Sequence, residues 1–331
     1  MLFGGAVSAR ALLLAYEGFD YAPGQSLLGL NGGYGFSTGW IGQSGAVTNN
    51  SIVLAGSFTY TDSFGNSIAT RGNRALATGN GTATGDNTGG TTGSANPWRV
   101  LSFYRGTDAV PTTTWFSVIA TVTSPPYPYT NSVGNVALHG RAVSPLQLFY
   151  NGTPGSTGQG SEMVGLGRGT ETTAGIDLYH TMDSWGLVNR GSAAQEVVSD
   201  VGFASLPADL LLMRIDHAPG TDPRVAGAAD TAYVWINPPN LAKEPSIAKA
   251  DLTLTPTSID PNNDRDYIFN VLRLFGGGFN TTVGYGAIQV DEIRIGTEYL
   301  DVTLRPVPEP SLFALGIFGG FVLLALRKRH S

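Results

Sequence analysis

Ile288-Gln289-Val290-Asp291-Glu292-Ile293-Arg294-Ile295 reads as a β-strand with one fault. Apolar residues stand at 288 and 290, then at 293 and 295, so the period-two alternation slips by one residue at Asp291-Glu292. Two accounts fit the slip. Either a β-bulge absorbs the extra residue, or one of the two acids points inward and is paired there.

The rest of the chain reads in the same way. Ile52 to Tyr60, Thr114 to Thr123, Leu146 to Tyr150, Leu210 to Asp216 and Tyr233 to Ile236 are short and rich in β-branched and aromatic residues. Between such runs lie turn-formers: Asn31-Gly32-Gly33, Asn80-Gly81, Ser124-Pro125-Pro126, Asn151-Gly152, Pro238-Pro239-Asn240 and Gly276-Gly277-Gly278. No long segment from Tyr16 to Thr303 carries apolar residues at helical spacing. No fixed-period repeat appears either, which argues against a solenoid or propeller. The sequence therefore predicts an all-β chain, a large two-sheet sandwich.

Composition agrees. The 331 residues are 42% hydrophobic, enough for a large core, while only 13% are charged and 45 are glycine, a mixture that favours many short strands joined by turns. Without cysteine there is no disulfide, thiolate nucleophile or Cys-based zinc site. The net charge of -6 and the placement of the one dense basic cluster, Arg327 to His330, at the far end exclude a nucleic-acid groove. Residues 78–96 have no large apolar side chain and are expected to form a disordered surface loop. Residues 1–15, MLFGGAVSARALLLA, read as a partial signal peptide with Ala9-Arg10-Ala11 as a small-x-small cleavage site; the competing reading makes them a first strand.

The C-terminus, 306–331, has its own character. Pro308 and Pro310 hold the chain extended around Glu309. Leu312 to Leu326 is free of charge, and as a helix it spans roughly 22 Å at about 1.5 Å per residue, short of a bilayer core of about 30 Å. Arg327, Lys328 and Arg329 follow as a stop that stays cytoplasmic, leaving the sandwich outside. A single C-terminal transmembrane helix over 312–326 is expected.

Tyr16-Glu17-Gly18-Phe19-Asp20-Tyr21, Asn31-Gly32-Gly33 and Gly39-Trp40 resemble the opening of large exported sandwich proteins related to laminin-G and concanavalin-like domains, found in planctomycete- and verrucomicrobium-type bacteria. Leu211 to Asp216, Val234 to Pro238 and Val290 to Gly296 resemble three later strands of that group. Val307-Pro308-Glu309-Pro310-Ser311, with the apolar run and the basic end, resembles the PEP-CTERM sorting signal. The resemblance implies a jelly-roll sandwich over 16–305. It also implies export to the cell surface or extracellular matrix of a Gram-negative-type bacterium, by way of the inner membrane. An exosortase is the implied partner, cutting at the proline-flanked glutamate, and exopolysaccharide is the implied ligand.

Retaining glycosidases need two carboxylates roughly 5 Å apart, and Asp291 and Glu292, adjacent in a strand, face opposite sides unless a bulge intervenes. His139, His180 and His217 lack metal-ligand spacing and fit surface or loop positions. Asp260, Asn262, Asp264 and Asp266 place oxygen ligands at alternate positions, a weak calcium-site pattern against an ordinary Asx-rich turn. A sugar site needs an exposed aromatic beside polar groups. Trp185, in Asp183-Ser184-Trp185-Gly186, has the polar setting of a binding loop, whereas Trp235 in its apolar strand belongs to the core. The expectation is a non-enzymatic exported protein without a required cofactor that contacts exopolysaccharide; a glycoside hydrolase or polysaccharide lyase on the same sandwich is the alternative.

Overall fold

A computed structural model describes residues 13–42, 51–78, 95–108, 110–123, 127–130, 136–139, 143–150, 162–168, 184–189, 195–202, 208–219, 229–255, 267–276 and 286–304. Its strands are β1 (Leu13–Glu17), β2 (Ser51–Leu54), β3 (Arg74–Thr78), β4 (Trp98–Arg105), β5 (Thr112–Val122), β6 (Tyr127–Thr130), β7 (Val136–His139) and β8 (Val143–Phe149). Then come β9 (Glu162–Arg168), β10 (Ser184–Asn189), β11 (Gln195–Gly202), β12 (Asp209–His217), β13 (Thr231–Ile236), β14 (Leu252–Leu254), β15 (Phe269–Gly276) and β16 (Ala287–Gly296). A single helical turn, α1 (Tyr299–Val302), follows.

The strands make two antiparallel sheets in a jelly-roll-like sandwich. The larger runs β14-β13-β12-β5-β16-β3-β2, with β1 also on β16; the smaller runs β11-β10-β9-β8-β15-β4; β6 and β7 form a hairpin. Between the sheets lies the main core, with Phe116, Val118, Met213 and Ile215 from one side and Leu146, Leu148, Trp185, Phe269 and Leu272 from the other. A second core covers the outer face of the larger sheet, where Trp115, Ile119, Leu212 and Trp235 meet Tyr60, Leu241, Tyr299 and Val302. Burial on both faces explains why β5, Thr-Thr-Thr-Trp-Phe-Ser-Val-Ile-Ala-Thr-Val, reads as a nearly continuous apolar run rather than an alternating one.

The slip in β16 joins the two accounts the sequence left open. From Asp291 to Arg294 the chain advances three residues while its partner β5 advances two, from Ile119 to Ser117, so a bulge takes up the extra residue. Glu292 sits there at φ 52°, left-handed backbone that a side-chain-bearing residue rarely adopts. Ile288, Val290, Ile293 and Ile295 all stay in the inter-sheet core. The bulge also marks a change of neighbour. Ala287 to Val290 pair with β3, whereas Ile293 to Gly296 pair with β1. Both acids are fully buried and both are paired.

Three expected boundaries move. The leader read over 1–15 overlaps β1, since Leu13 pairs with Gly296 and Ala15 with Ile295. The strand read from Ile52 ends at Leu54, because Gly56 turns the chain at φ 77°. The loop read over 78–96 is held at both ends: Thr78 pairs with Ala287 in the sheet, and Ala95 is a core residue bridged to Gly276. Among the described residues no helix is long and apolar enough to cross a membrane; the helix expected over 312–326 lies outside them.

Candidate functional site: a cleft on the outer face of the larger sheet

Alternation along β5 sends Phe116 and Val118 into the inter-sheet core and Thr113 and Trp115 to the outer face. On β12, Arg214 stands directly opposite Trp115, and Asp216 opposite Thr113. Gly296 of β16 is the partner of Trp115 on its other side. A side chain at 296 would collide with α1, since an added Cβ falls 2.5 Å from that of Asp301. Glycine therefore lets α1 sit close over the sheet. A reciprocal capping box between Glu298 and Asp301 fixes that turn, and Ser117 donates to the Val302 carbonyl at 2.7 Å.

The result is an open cleft of about 420 Å³ lined by Thr113, Trp115, Arg214, Ala242, Glu244 and the turn Thr297 to Leu300. Trp115 stacks on Trp235 at 5.5 Å and receives the edge of Tyr299 at 5.2 Å. The Arg214 guanidinium lies 5.6 Å above the Trp115 ring. Its Nε donates to Asp216 at 2.6 Å, its Nη2 to the other Asp216 oxygen at 3.0 Å, and its Nη1 to Glu244 at 2.9 Å. Asp216 also accepts from the Thr113 hydroxyl at 3.0 Å. Arg214 is thus oriented on three of its five N–H groups, leaving two donors beside ionisable acceptors and an apolar rim that includes the exposed Leu300. Such a surface can hydrogen-bond a polyhydroxylated ligand through Arg214 and the carboxylates, while Trp115, 2% exposed, supports the arginine from below rather than offering a stacking face.

The residues singled out in the sequence lie elsewhere. Trp185 is not a loop platform: it is a fully buried core side chain on β10, and its Nε1 donates to Asp209 at 2.9 Å. Ser184-Trp185-Gly186 is the start of a strand whose indole is buried in the inter-sheet core. Asp183 and the calcium-pattern residues Asp260, Asn262, Asp264 and Asp266 lie outside the described residues, as do Val307, Pro308, Glu309, Pro310, Ser311, Arg327, Lys328 and Arg329. Trp235 is in the core, as expected. Among the described residues no cluster of three acids or histidines is spaced to hold a metal ion.

The bulge brings Asp291 and Glu292 into one environment but seals both. Asp291 accepts the N–H groups of Phe58 and of Glu292; Glu292 accepts from the Arg71 N–H, the Tyr16 hydroxyl and Arg294. Burial, and then the charge of Glu292, push the Asp291 carboxyl up to about 8. Burial likewise raises Glu292 against the pull of Arg294. A third sealed acid, Glu17, accepts from Arg99, Tyr21, Trp40 and the Phe19 N–H, and burial raises it too. Glu17 and Glu292 tie β1 to its neighbours, and all three acids are fully buried.

His217 corrects the expectation of a surface or loop position. It is buried, its Nδ1 2.8 Å from Asp230 and its Nε2 2.9 Å from the Thr114 hydroxyl, while Asp230 also accepts the N–H groups of Tyr267 and Ala218. The order Thr-His-Asp has the connectivity of a nucleophilic triad. Thr114 is nevertheless fully enclosed, and its oxygen accepts from Arg105, so the array braces one end of the sandwich by tying β5 and β12 to β4.

No protein-family model and no curated protein sequence matches the chain. Among solved structures it is similar to an endo-β-1,4-glucuronan lyase from the fungus Trichoderma reesei, with a TM-score of 0.43 and 12% identity over 81% of this chain and 95% of that one. It is also similar to the catalytic domain of a GH131 β-glucanase from Podospora anserina, with a TM-score of 0.41 and 12% identity over 88% and 99%. A third is domain 4 of an extracellular arabinanase from Geobacillus stearothermophilus, with a TM-score of 0.36 and 11% identity over 89% and 95%. At scores below 0.5 neither the fold nor the site of this chain follows from them; both stand on the strand pairing and side chains described above.

Proposed function

We propose that this chain is an exported cell-surface protein whose sandwich, of the concanavalin and laminin-G kind, binds a polysaccharide in the Arg214–Trp115 cleft. The observation that carries the reading is the Arg214 guanidinium, braced by Asp216 and Glu244 above the ring of Trp115 on the floor of an open cleft. Fixed donors, carboxylate acceptors and the apolar rim at Leu300 are groups a saccharide uses, and they converge here from strands and turns far apart in sequence. Titration of the full-length chain in detergent against an oligosaccharide panel tests it. Arg214→Gln should abolish saturable binding while leaving the fold intact, because this arginine is partly exposed and its surface ion pairs contribute about 1 kcal/mol or less. Unaltered binding by Arg214→Gln would place the ligand elsewhere.

In the same proposal the tail from Val307 to Ser331 is a sorting signal of the PEP-CTERM kind, held in the inner membrane by 312–326 until an exosortase cuts beside Glu309. Expression with and without an exosortase, followed by intact-mass measurement, tests this part. An unchanged mass and location in both hosts would defeat it.

A hydrolase reading of the same cleft is favoured by one fact: Glu244 and Glu298 both line it. Shortened oligosaccharides released by the wild type and lost in both Glu244→Gln and Glu298→Gln would establish that reading in place of simple binding.

A further inference from the structure

We infer that the cleft selects neutral glycans and rejects uronate-bearing or sulfated ones; this rests on the proposed glycan-binding role. Among the described residues Arg214 is the one basic side chain lining the cleft, and its charge is already met by two carboxylates, Asp216 and Glu244. Asp216 occupies the Nε–Nη2 fork, the bidentate edge that a uronate carboxylate would use. Glu298 adds a further carboxylate to the lining. The formal sum over Arg214, Asp216 and Glu244 is one positive charge against two negative ones.

Hydroxyls suit this field and anions do not. Carboxylate oxygens accept O–H donors, and the two N–H groups of Arg214 outside its ion pairs donate to hydroxyl or ring oxygens. An incoming carboxylate or sulfate meets like charge with its natural partner already engaged. The ion pairs are partly exposed, Glu244 at 48%, so the repulsion weakens as salt rises.

The test pairs glycans that differ only at C6. The full-length chain is titrated calorimetrically with a β-1,4-glucan hexasaccharide and with its glucuronan counterpart, in which each C6 is a carboxylate, alongside equivalent neutral and oxidised pairs of other linkages. For the linkage that binds, the neutral member is expected to bind at least about tenfold more tightly. The gap should narrow in the Glu244→Gln/Glu298→Gln double variant and in high salt. Equal or tighter binding of the oxidised member overturns the inference and leaves the glycan-binding reading standing. Binding of no member of any pair overturns both.

Discussion

The hydroxyl of Tyr16 donates to Glu292 at 3.0 Å, across 276 positions of sequence, and so fastens the first strand to the bulge of the last. The bond lies in a buried setting where Glu292 also takes the Arg71 N–H and Arg294. Tyr16→Phe keeps the ring and removes only the donor. It is expected to lower stability by about 1–3 kcal/mol, read as a shift of the urea midpoint with unchanged slope. A shift below about 0.5 kcal/mol would show that water or another donor replaces the hydroxyl.

Stability should peak in mildly acidic solution. Asp291, raised to about 8 by burial and by Glu292, contributes stability that is complete below its unfolded pKa near 4 and is lost as the pH climbs to about 8. Glu17 and Glu292 are raised and act with the same sign. Asp62 works in the other direction. Burial opposes its ionisation, but N–H groups of Leu241, Asn66 and Phe64 outweigh that and hold it at about 2, so its contribution is lost as the pH falls from about 4 through 2. Melting temperatures between pH 2 and 8 should fall on both sides of a maximum near pH 4–5, and Asp291→Asn should flatten the alkaline limb. A wild-type curve that rises from pH 5 to 8 would contradict this.

Thr114 carries two bonds on one oxygen, to His217 and from Arg105. Thr114→Val keeps the shape and strands both partners inside the protein, for an expected loss of about 1–3 kcal/mol. Thr114→Ser restores the hydroxyl and should recover most of it, the missing methyl leaving a loss of about 1 kcal/mol. Denaturant titration of the pair separates the hydrogen bonds from the packing.

Gly296→Ala should push α1 away from the sheet, because the new methyl meets Asp301. A loss of about 1–3 kcal/mol is expected, with weaker binding in the cleft as Tyr299 leaves the edge of Trp115. Leu300→Ala, at an exposed position on the same turn, should stay within about 0.5 kcal/mol and serves as the control.

What the sequence disclosed was what local pattern encodes. The strand character of 288–295 and its fault at Asp291-Glu292 were visible because alternation is a property of neighbouring residues. The cleft was not, because it depends on register: Arg214 opposite Trp115 is a relation between strands about a hundred residues apart, and only pairing creates it. One local hint existed in Arg214-Ile215-Asp216, where alternate residues share a face and can bond. Trp185 misled for the converse reason. Its polar neighbours in sequence are not its neighbours in space, where Asp209 and the inter-sheet core surround it. The histidine bonded to both Thr114 and Asp230 likewise joins three strand ends that no spacing rule connects.

The change of neighbour along β16 sets a limit on how the start of this chain can be trimmed. Leu13 to Glu17 occupy the edge of β16 beyond the bulge, next to the part held by β3. A cut after Ala11 leaves that strand whole. A cut even a few residues further on would strip it away and bare a row of backbone donors and acceptors in the form of a vacant strand-shaped slot, open to the matching segment of a second molecule. Five residues at the start of the described chain, Leu13 to Glu17, thus decide whether this edge of the larger sheet is closed or open.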